Sequence, residues 1–347
     1  MMRYLPLLVF IIFTNILFGQ QQQYKIGAIG FYNFENLFDT LDTENVRDSE
    51  FTPNGRKAYG GKIYKEKLSH LSDVVSQMGK EMTPDGLAIL GMCEIENRSV
   101  LEDFVKMPVL ADRNYQIVHY DSPDKRGIDV GLIYNPKYFT LKSSKPLLVD
   151  IQQKNGDTIF TRDILFVSGE FDGEPLHLFV NHWPSRSGGE KRSAWRRNAA
   201  AQRVRVVIDS LLADNAEAKI VVMGDLNDDP DNDSCKKYIN AQRKREKIKK
   251  DQLYNPMWDY YVKGIGTTAW RDAWSLFDQI QVSYALANKD DDGYFFYKAN
   301  IFNKKFLRQR SGAYKGYPYR TFVGDTYLGG YSDHFPVLIY LVKPNVN

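Results

Sequence analysis

Cysteine is scarce in this chain: two residues, Cys93 and Cys235, among 347. One possible bridge is not a disulfide framework, and a chain this long has enough interior to do without one. Cys93 lies in an apolar run and reads as a small buried hydrophobe, so two free thiols are expected. No cysteine follows the apolar N-terminal stretch, which removes the usual lipid attachment of a lipoprotein. A thiolate cluster and a His-x-x-x-His helix are both missing, which argues against a structural or catalytic zinc site. A strong charge of one sign is missing too. The formal balance of +3 neither demands nor excludes a polyanionic partner, because a local basic face can form on a nearly neutral protein. No internal repeat and no Gly/Ser or Pro linker splits the chain after its N-terminus, so residues 24–343 read as one domain.

What is present is ordinary in bulk, with 43% hydrophobic and 26% charged residues, but rich in Tyr (22) and Phe (20). These side chains suit a sheet-rich core. The N-terminus carries Arg3 and then an apolar run from Leu5 to Phe18, interrupted by Pro6, Thr14 and Asn15. That run is short for a bilayer span, which needs about 20 apolar residues. Residues 1–19 therefore read as a cleaved signal peptide, with Gly19 before the cut, and an uncleaved anchor as the alternative. The expectation is an exported protein, periplasmic or extracellular, with no stable membrane span in the mature chain and a monomeric state.

Along the rest, Tyr24 to Asn33, Gly86 to Ile95, Tyr115 to Tyr120, Ile128 to Tyr134, Leu147 to Ile151, Thr158 to Phe171 and Leu176 to His182 read as strands. So do Lys219 to Gly224, Leu276 to Tyr284, Tyr294 to Phe302 and Phe335 to Leu341. Leu68, Leu71, Val74, Val75 and Met78 recur at helical spacing, a short helix is expected near Val100 to Val105, and a long one from Ser193. The basic run Arg243 to Lys250 reads as a solvated helix, with a nucleic-acid contact as the alternative. Strands and helices interleave, so the class is α/β.

Polar groups collect at the C-terminal ends of predicted strands, where open α/β sheets tend to place ligands. Asn33 ends the first in Tyr-Asn-Phe-Glu35-Asn, Glu94 ends the apolar run, and His182 follows Val180-Asn181. Asp225 and Asn227 sit in Gly-Asp-Leu-Asn, Asp278 follows Leu276-Phe277, and Asp333 and His334 precede the last strand. Singly, each has a plain reading as a turn former, a surface charge or a core histidine. Together they supply oxygen ligands for a hard cation such as Mg²⁺ and two histidines able to move protons. Arg126, just before a strand, could reach a substrate phosphate, and Asp129 could support His182. Arg186, Arg196 and Arg197 could line a phosphate path or be solvated.

These ordered motifs resemble the set of the endonuclease/exonuclease/phosphatase superfamily, across about residues 24–343. The resemblance implies a four-layer α/β/β/α sandwich with two mixed β-sheets. It implies that Glu94 is the principal metal ligand, with Asn33, Asp333 and Glu35 in support, for Mg²⁺ or substituting Mn²⁺. His334 would be general base or phosphate clamp, oriented by Asp278. Asp225 would position the attacking water or the leaving group, and Asn227 and His182 would hold phosphate oxygens. The implied activity is metal-dependent phosphodiester hydrolysis, with nucleic acid as the favoured substrate. A phospholipid or small-molecule phosphodiesterase or phosphatase on the same fold is the alternative, and a secreted binding protein without turnover stands behind both.

Overall fold

A computed structural model describes residues 23–345 other than 154 and 291. The expected signal peptide lies outside the described residues. The strands in chain order are β1 Tyr24–Leu37, β2 Ile89–Ile95, β3 Gln116–His119, β4 Asp129–Tyr134, β5 Phe139–Leu147 and β6 Ile164–Phe171. They continue with β7 Glu174–His182, β8 Ile220–Asp225, β9 Ala241–Gln242, β10 Leu253–Tyr254, β11 Thr268–Trp270 and β12 Ala273–Ser275. The last are β13 Asp278–Ser283, β14 Phe295–Ile301, β15 Phe322–Val323, β16 Thr326–Tyr327 and β17 Val337–Pro344.

One sheet runs β14-β17-β1-β2-β4-β3 and the other β5-β6-β7-β8-β13-β10-β9. Both are mixed: β1 pairs with β2, and β7 with β8, in parallel, while the other pairs beside them are antiparallel. The sheets meet face to face closely enough that a Cβ at Gly91 of β2 would lie 2.6 Å from Met223 Sδ of β8. Helix α1 Gly61–Gln77 covers the outer face of the first sheet with Leu68, Leu71, Val74 and Val75. Helices α2 Arg98–Val105 and α3 Pro108–Ala111 follow on the same side, with Val100, Leu101, Phe104 and Leu110 in the same core. Helix α4 Glu190–Asp214 lays Ala200, Ala201, Val204 and Ile208 against Phe179, Ile220 and Val222 of the second sheet. Four layers result, as the resemblance implied.

Alternation along each strand decides what reaches the space between the sheets. Val221, Met223 and Asp225 of β8 face inward, whereas Ile220 and Val222 face α4. Both cysteines are buried and unpaired. Among the described residues no helix is long and apolar enough to cross a membrane.

Several boundaries differ from expectation. Residues Leu148 to Ile151 are not a strand, and the polar stretch Phe139–Leu147 is one. Only its ends, Phe139 and Leu147, are buried, and the residues between them are exposed or partly covered at the sheet edge, where polar side chains meet water. The basic run 243–250 is not helical. It offers Ile248 alone to the core, too little apolar surface to hold a helix against charge repulsion, and forms one 3₁₀ turn at Arg245–Lys247.

Candidate active site

The second sheet builds a row of its own. In register, His182 of β7 lies beside Asp225 of β8, and Asp225 beside Asp278 of β13. All three sit at one end of the sandwich with their side chains between the sheets. Asn33, at the matching end of β1, donates from Nδ2 to Asp225 Oδ2 at 3.1 Å and so ties the two sheets together. Ser332 donates to the Asn33 carbonyl at 2.7 Å and accepts from the His334 N–H at 3.1 Å. The C-terminal loop is thereby fixed beside the first strand.

Two adjacent strands bulge at this level. The β1–β2 register shifts between Asn33 and Leu37, and the β2–β4 register between Cys93 and Ile95. Glu35, Asn36, Glu94 and Asn227 all hold left-handed backbone, with φ of 46°, 57°, 57° and 50°. Such conformations are uncommon for residues with a side chain and concentrate at functional sites. The paired bulges turn Glu94 into the cleft, where its Oε2 accepts the Asn36 N–H at 3.0 Å. Its Oε1 faces Arg126 at 3.8 Å and His182 Nε2 at 3.9 Å.

His334 Nδ1 meets Asp278 Oδ2 at 2.6 Å. Its Nε2 then points into the cleft, 3.9 Å from Asp225 Oδ2 and 4.0 Å from Asp333 Oδ1. Burial by itself would lower this imidazole's pKa, but Asp278 and Asp225 outweigh it and raise the value well above normal. His182 behaves in the opposite way: burial first, then Arg162 and Arg126, hold it well below normal. Its Nδ1 is buried without a partner, which favours a neutral ring with its proton on Nε2, toward Asp225 at 3.7 Å. Burial pushes the Asp225 carboxyl up to about 7, opposed by His334 and assisted by Asp278.

Glu94, Asp225, Asp278, Asp333, His182 and His334 are therefore brought together, with Asn33 among them and Arg126 half-exposed on the rim. Asn227 is adjacent, but its N–H donates to Asp225 and its Nδ2 to the Trp183 carbonyl, both at 3.0 Å, so part of its bonding capacity is already used. Glu35 is turned away. Its carboxylate accepts the N–H groups of Thr321 and Phe322 at 2.6 and 3.4 Å, making it a brace for that loop instead of a member of the donor set. Asp129 does not support His182 either; it pairs with His119 Nε2 at 3.1 Å. Arg197 is fully buried on Asp228 at 2.7 Å, and Arg186 bonds the Asn227 carbonyl and Asp229, so both hold the loop after β8 and line no open path.

Three participants carried no motif. Arg320 donates to Asp333 Oδ2 at 2.6 Å and leaves Oδ1 facing the cleft. Arg162 bonds the Trp183 carbonyl at 2.7 Å, and Lys67 donates to Thr321 at 2.7 Å. Lys67 alone had a signal, a lysine on the apolar stripe of α1.

Oxygen donors from Glu94 and Asp333 fit a hard divalent cation, with Asn33 Oδ1 beside them, where it also accepts the Glu35 N–H at 2.8 Å. Cys93 lies near His182 and Asp225, but burial raises its thiol pKa well above normal, so a thiolate site for a soft metal does not fit.

The family model described as Endonuclease/Exonuclease/phosphatase family matches residues 28–343. A solved protein of that family from Bacteroides thetaiotaomicron is similar at 15% identity and a TM-score of 0.56, covering 94% of this chain and 100% of that one. A mannosyl-6-phosphatase from the same organism gives 16%, 0.53, 91% and 99%. A humanized D. rerio TDP2 gives 14%, 0.52, 91% and 98%. No curated protein sequence matches.

Proposed function

The chain belongs to the endonuclease/exonuclease/phosphatase family, and we propose that within it the protein is a divalent-metal-dependent phosphodiesterase acting on nucleic acid. The observation that carries this reading is the 2.6 Å His334–Asp278 pair with Nε2 aimed at Asp225. Glu94 and Asp333, with the Asn33 oxygen, would hold the cation. When bound, it would supply Lewis-acid stabilisation of charge on a phosphoryl oxygen.

The chain's own groups have distinct tasks. Asp278 fixes the His334 tautomer and favours its charged form, so His334 donates from Nε2 to a phosphoryl oxygen. Asp225, poised near neutrality, orients the attacking water and takes its proton. His182, neutral, donates from Nε2 to a second phosphoryl oxygen. Asn33 holds Asp225 in place.

A diester carries a group on each side of the scissile phosphorus, and the centre opens to both sides. One pocket runs from Arg126 past Arg47 and Arg56, and a second shares Asp333 and Arg320 with the centre. Arg126 and Arg47 suit a polyanionic chain, whereas Arg56 in the same wall is ion-paired with Glu50 and Asp325. A panel of plasmid DNA, RNA, sphingomyelin, inositol phosphates and a bis-aryl phosphodiester tests the assignment. Hydrolysis of DNA or RNA together with the aryl diester is expected, and activity confined to phosphomonoesters or sphingomyelin would contradict it.

A further inference from the structure

The pocket on the Asp333 side has a volume of about 300 Å³, and Trp270, Arg271, Tyr314, Tyr317, Arg320 and Asp333 are part of its wall. We propose that it is a base-binding subsite, which stacks the planar base of one nucleotide flanking the scissile phosphate. The proposal rests on the phosphodiesterase reading above and adds to it where the substrate's base sits.

Three observations carry it. The first is chemical. Trp270 is 71% exposed and Tyr314 54% exposed, a large apolar area to leave in water beside a polar centre. The Arg271 guanidinium lies 5.6 Å from the Trp270 ring centroid. Aromatic faces interleaved with guanidinium groups are the surface that single-stranded nucleic acid uses, bases on the rings and phosphates on the cations.

The second is rigidity. Arg271 and Asp272 form the two-residue turn of the β11–β12 hairpin, both with left-handed backbone. Tyr317 pins that turn: its hydroxyl donates to Asp272 Oδ1 at 2.6 Å and accepts the Asp272 N–H at 2.6 Å. Tyr317 also packs against Trp274 and Tyr314, with ring centroids 5.7 and 5.6 Å apart. The base of the hairpin is bound to the catalytic residues. Thr267 accepts the Phe335 N–H at 2.8 Å, and the Thr268 hydroxyl donates to the Asp333 carbonyl at 3.0 Å. The platform is therefore held at a fixed offset from His334.

The third separates a base from a sugar. Sugar hydroxyls are recognised by free carboxylates and amides that accept and donate around the ring. Among the described residues lining this pocket, the one carboxylate is Asp333, with its Oδ2 bonded to Arg320, and the one side-chain amide is Gln309, against the three rings of Trp270, Tyr314 and Tyr317 and the guanidinium groups of Arg271 and Arg320. A base offers a π-face and needs no such partner.

Isothermal titration calorimetry tests the subsite with two probes, thymidine 5′-monophosphate and deoxyribose 5-phosphate, which lacks the base. Ca²⁺ replaces Mg²⁺ so that turnover does not consume the probes. Stacking predicts that the native protein prefers the nucleotide by roughly 5- to 150-fold. Trp270→Ala should reduce that preference toward parity, and Trp195→Ala, an exposed tryptophan on α4, should keep it. Thermal unfolding checks that both variants fold, and Tyr314→Ala provides a second reading of the same pocket. Equal affinity for the two probes, binding of neither, or tighter Trp270-dependent binding of mannose 6-phosphate would overturn the subsite. Hydrolysis of a bis-aryl phosphodiester is measured alongside. A protein that hydrolyses it but shows no base preference loses only the subsite. One that binds the nucleotide through Trp270 but hydrolyses nothing keeps the subsite and loses the catalytic reading.

Discussion

His334 and Asp278 are 56 residues apart in sequence and 2.6 Å apart in space, and the pair makes the sharpest claim at residue scale. A positioned acid or base contributes about 10²–10⁴-fold in rate, so His334→Ala should cost a large part of that. Asp278→Asn removes the hydrogen-bonded charge that raises the imidazole's pKa, so the limb of the kcat/KM profile due to His334 should move to lower pH. Because the residues act as one unit, the double variant should be little worse than His334→Ala alone. Losses that multiply, with an unmoved profile, would show that the two work independently. The residues of this unit were legible in the sequence because each ends or precedes an apolar strand within a recognisable motif. Their supports were not. Arg320 comes from a loop 13 residues before Asp333, where no periodicity marks its approach to that carboxylate. The placing of Glu35 was not legible either, because its motif position gives no sign of the bulge that turns its carboxylate toward Thr321.

Among the elements, α4 does more than cover a sheet. Arg197 sits on its buried face, fully enclosed, ion-paired with Asp228 at 2.7 Å and donating from Nη1 to the Ser193 hydroxyl at 2.9 Å. It fastens the helix to the loop that follows Asp225 and carries Asn227. Removing one partner of a buried pair strands the other charge, so Arg197→Ala should destabilise the fold by about 3–5 kcal/mol. Denaturant unfolding measures this, and a variant as stable as the native protein would refute the anchoring role. The apolar stripe of α4 was legible from its spacing, but an arginine beside that stripe reads equally well as solvated. Its burial depends on Asp228, which arrives from another element. The basic run 243–250 failed for the complementary reason: charge pattern alone suggested a helix, and Ile248 is the one apolar side chain it buries in the core. Arg243 instead pairs with Asp259 at 2.8 Å.

At the scale of the molecule, the topology explains why one site needs the whole chain. The C-terminal strand β17 lies beside the N-terminal strand β1, and β8 and β13 sit together in the facing sheet. Asn33, Glu94, Asp225, Asp278 and His334 meet only when both sheets are complete and packed. The sandwich was legible through the motif order, whereas the close approach of the sheets at Gly91 was not, because it depends on Met223 from the opposite sheet. On the proposed function, these residues form one metal-dependent phosphodiesterase centre. The most direct test is hydrolysis of a bis-aryl phosphodiester by the native protein and by Glu94→Gln, each with Mg²⁺ and with excess chelator. A metal-dependent centre should give turnover by the native protein with Mg²⁺, its loss in chelator, its recovery on adding Mg²⁺ or Mn²⁺, and near-abolition in a folded Glu94→Gln. Full activity in chelator, or a Glu94→Gln variant as active as the native protein, would contradict it.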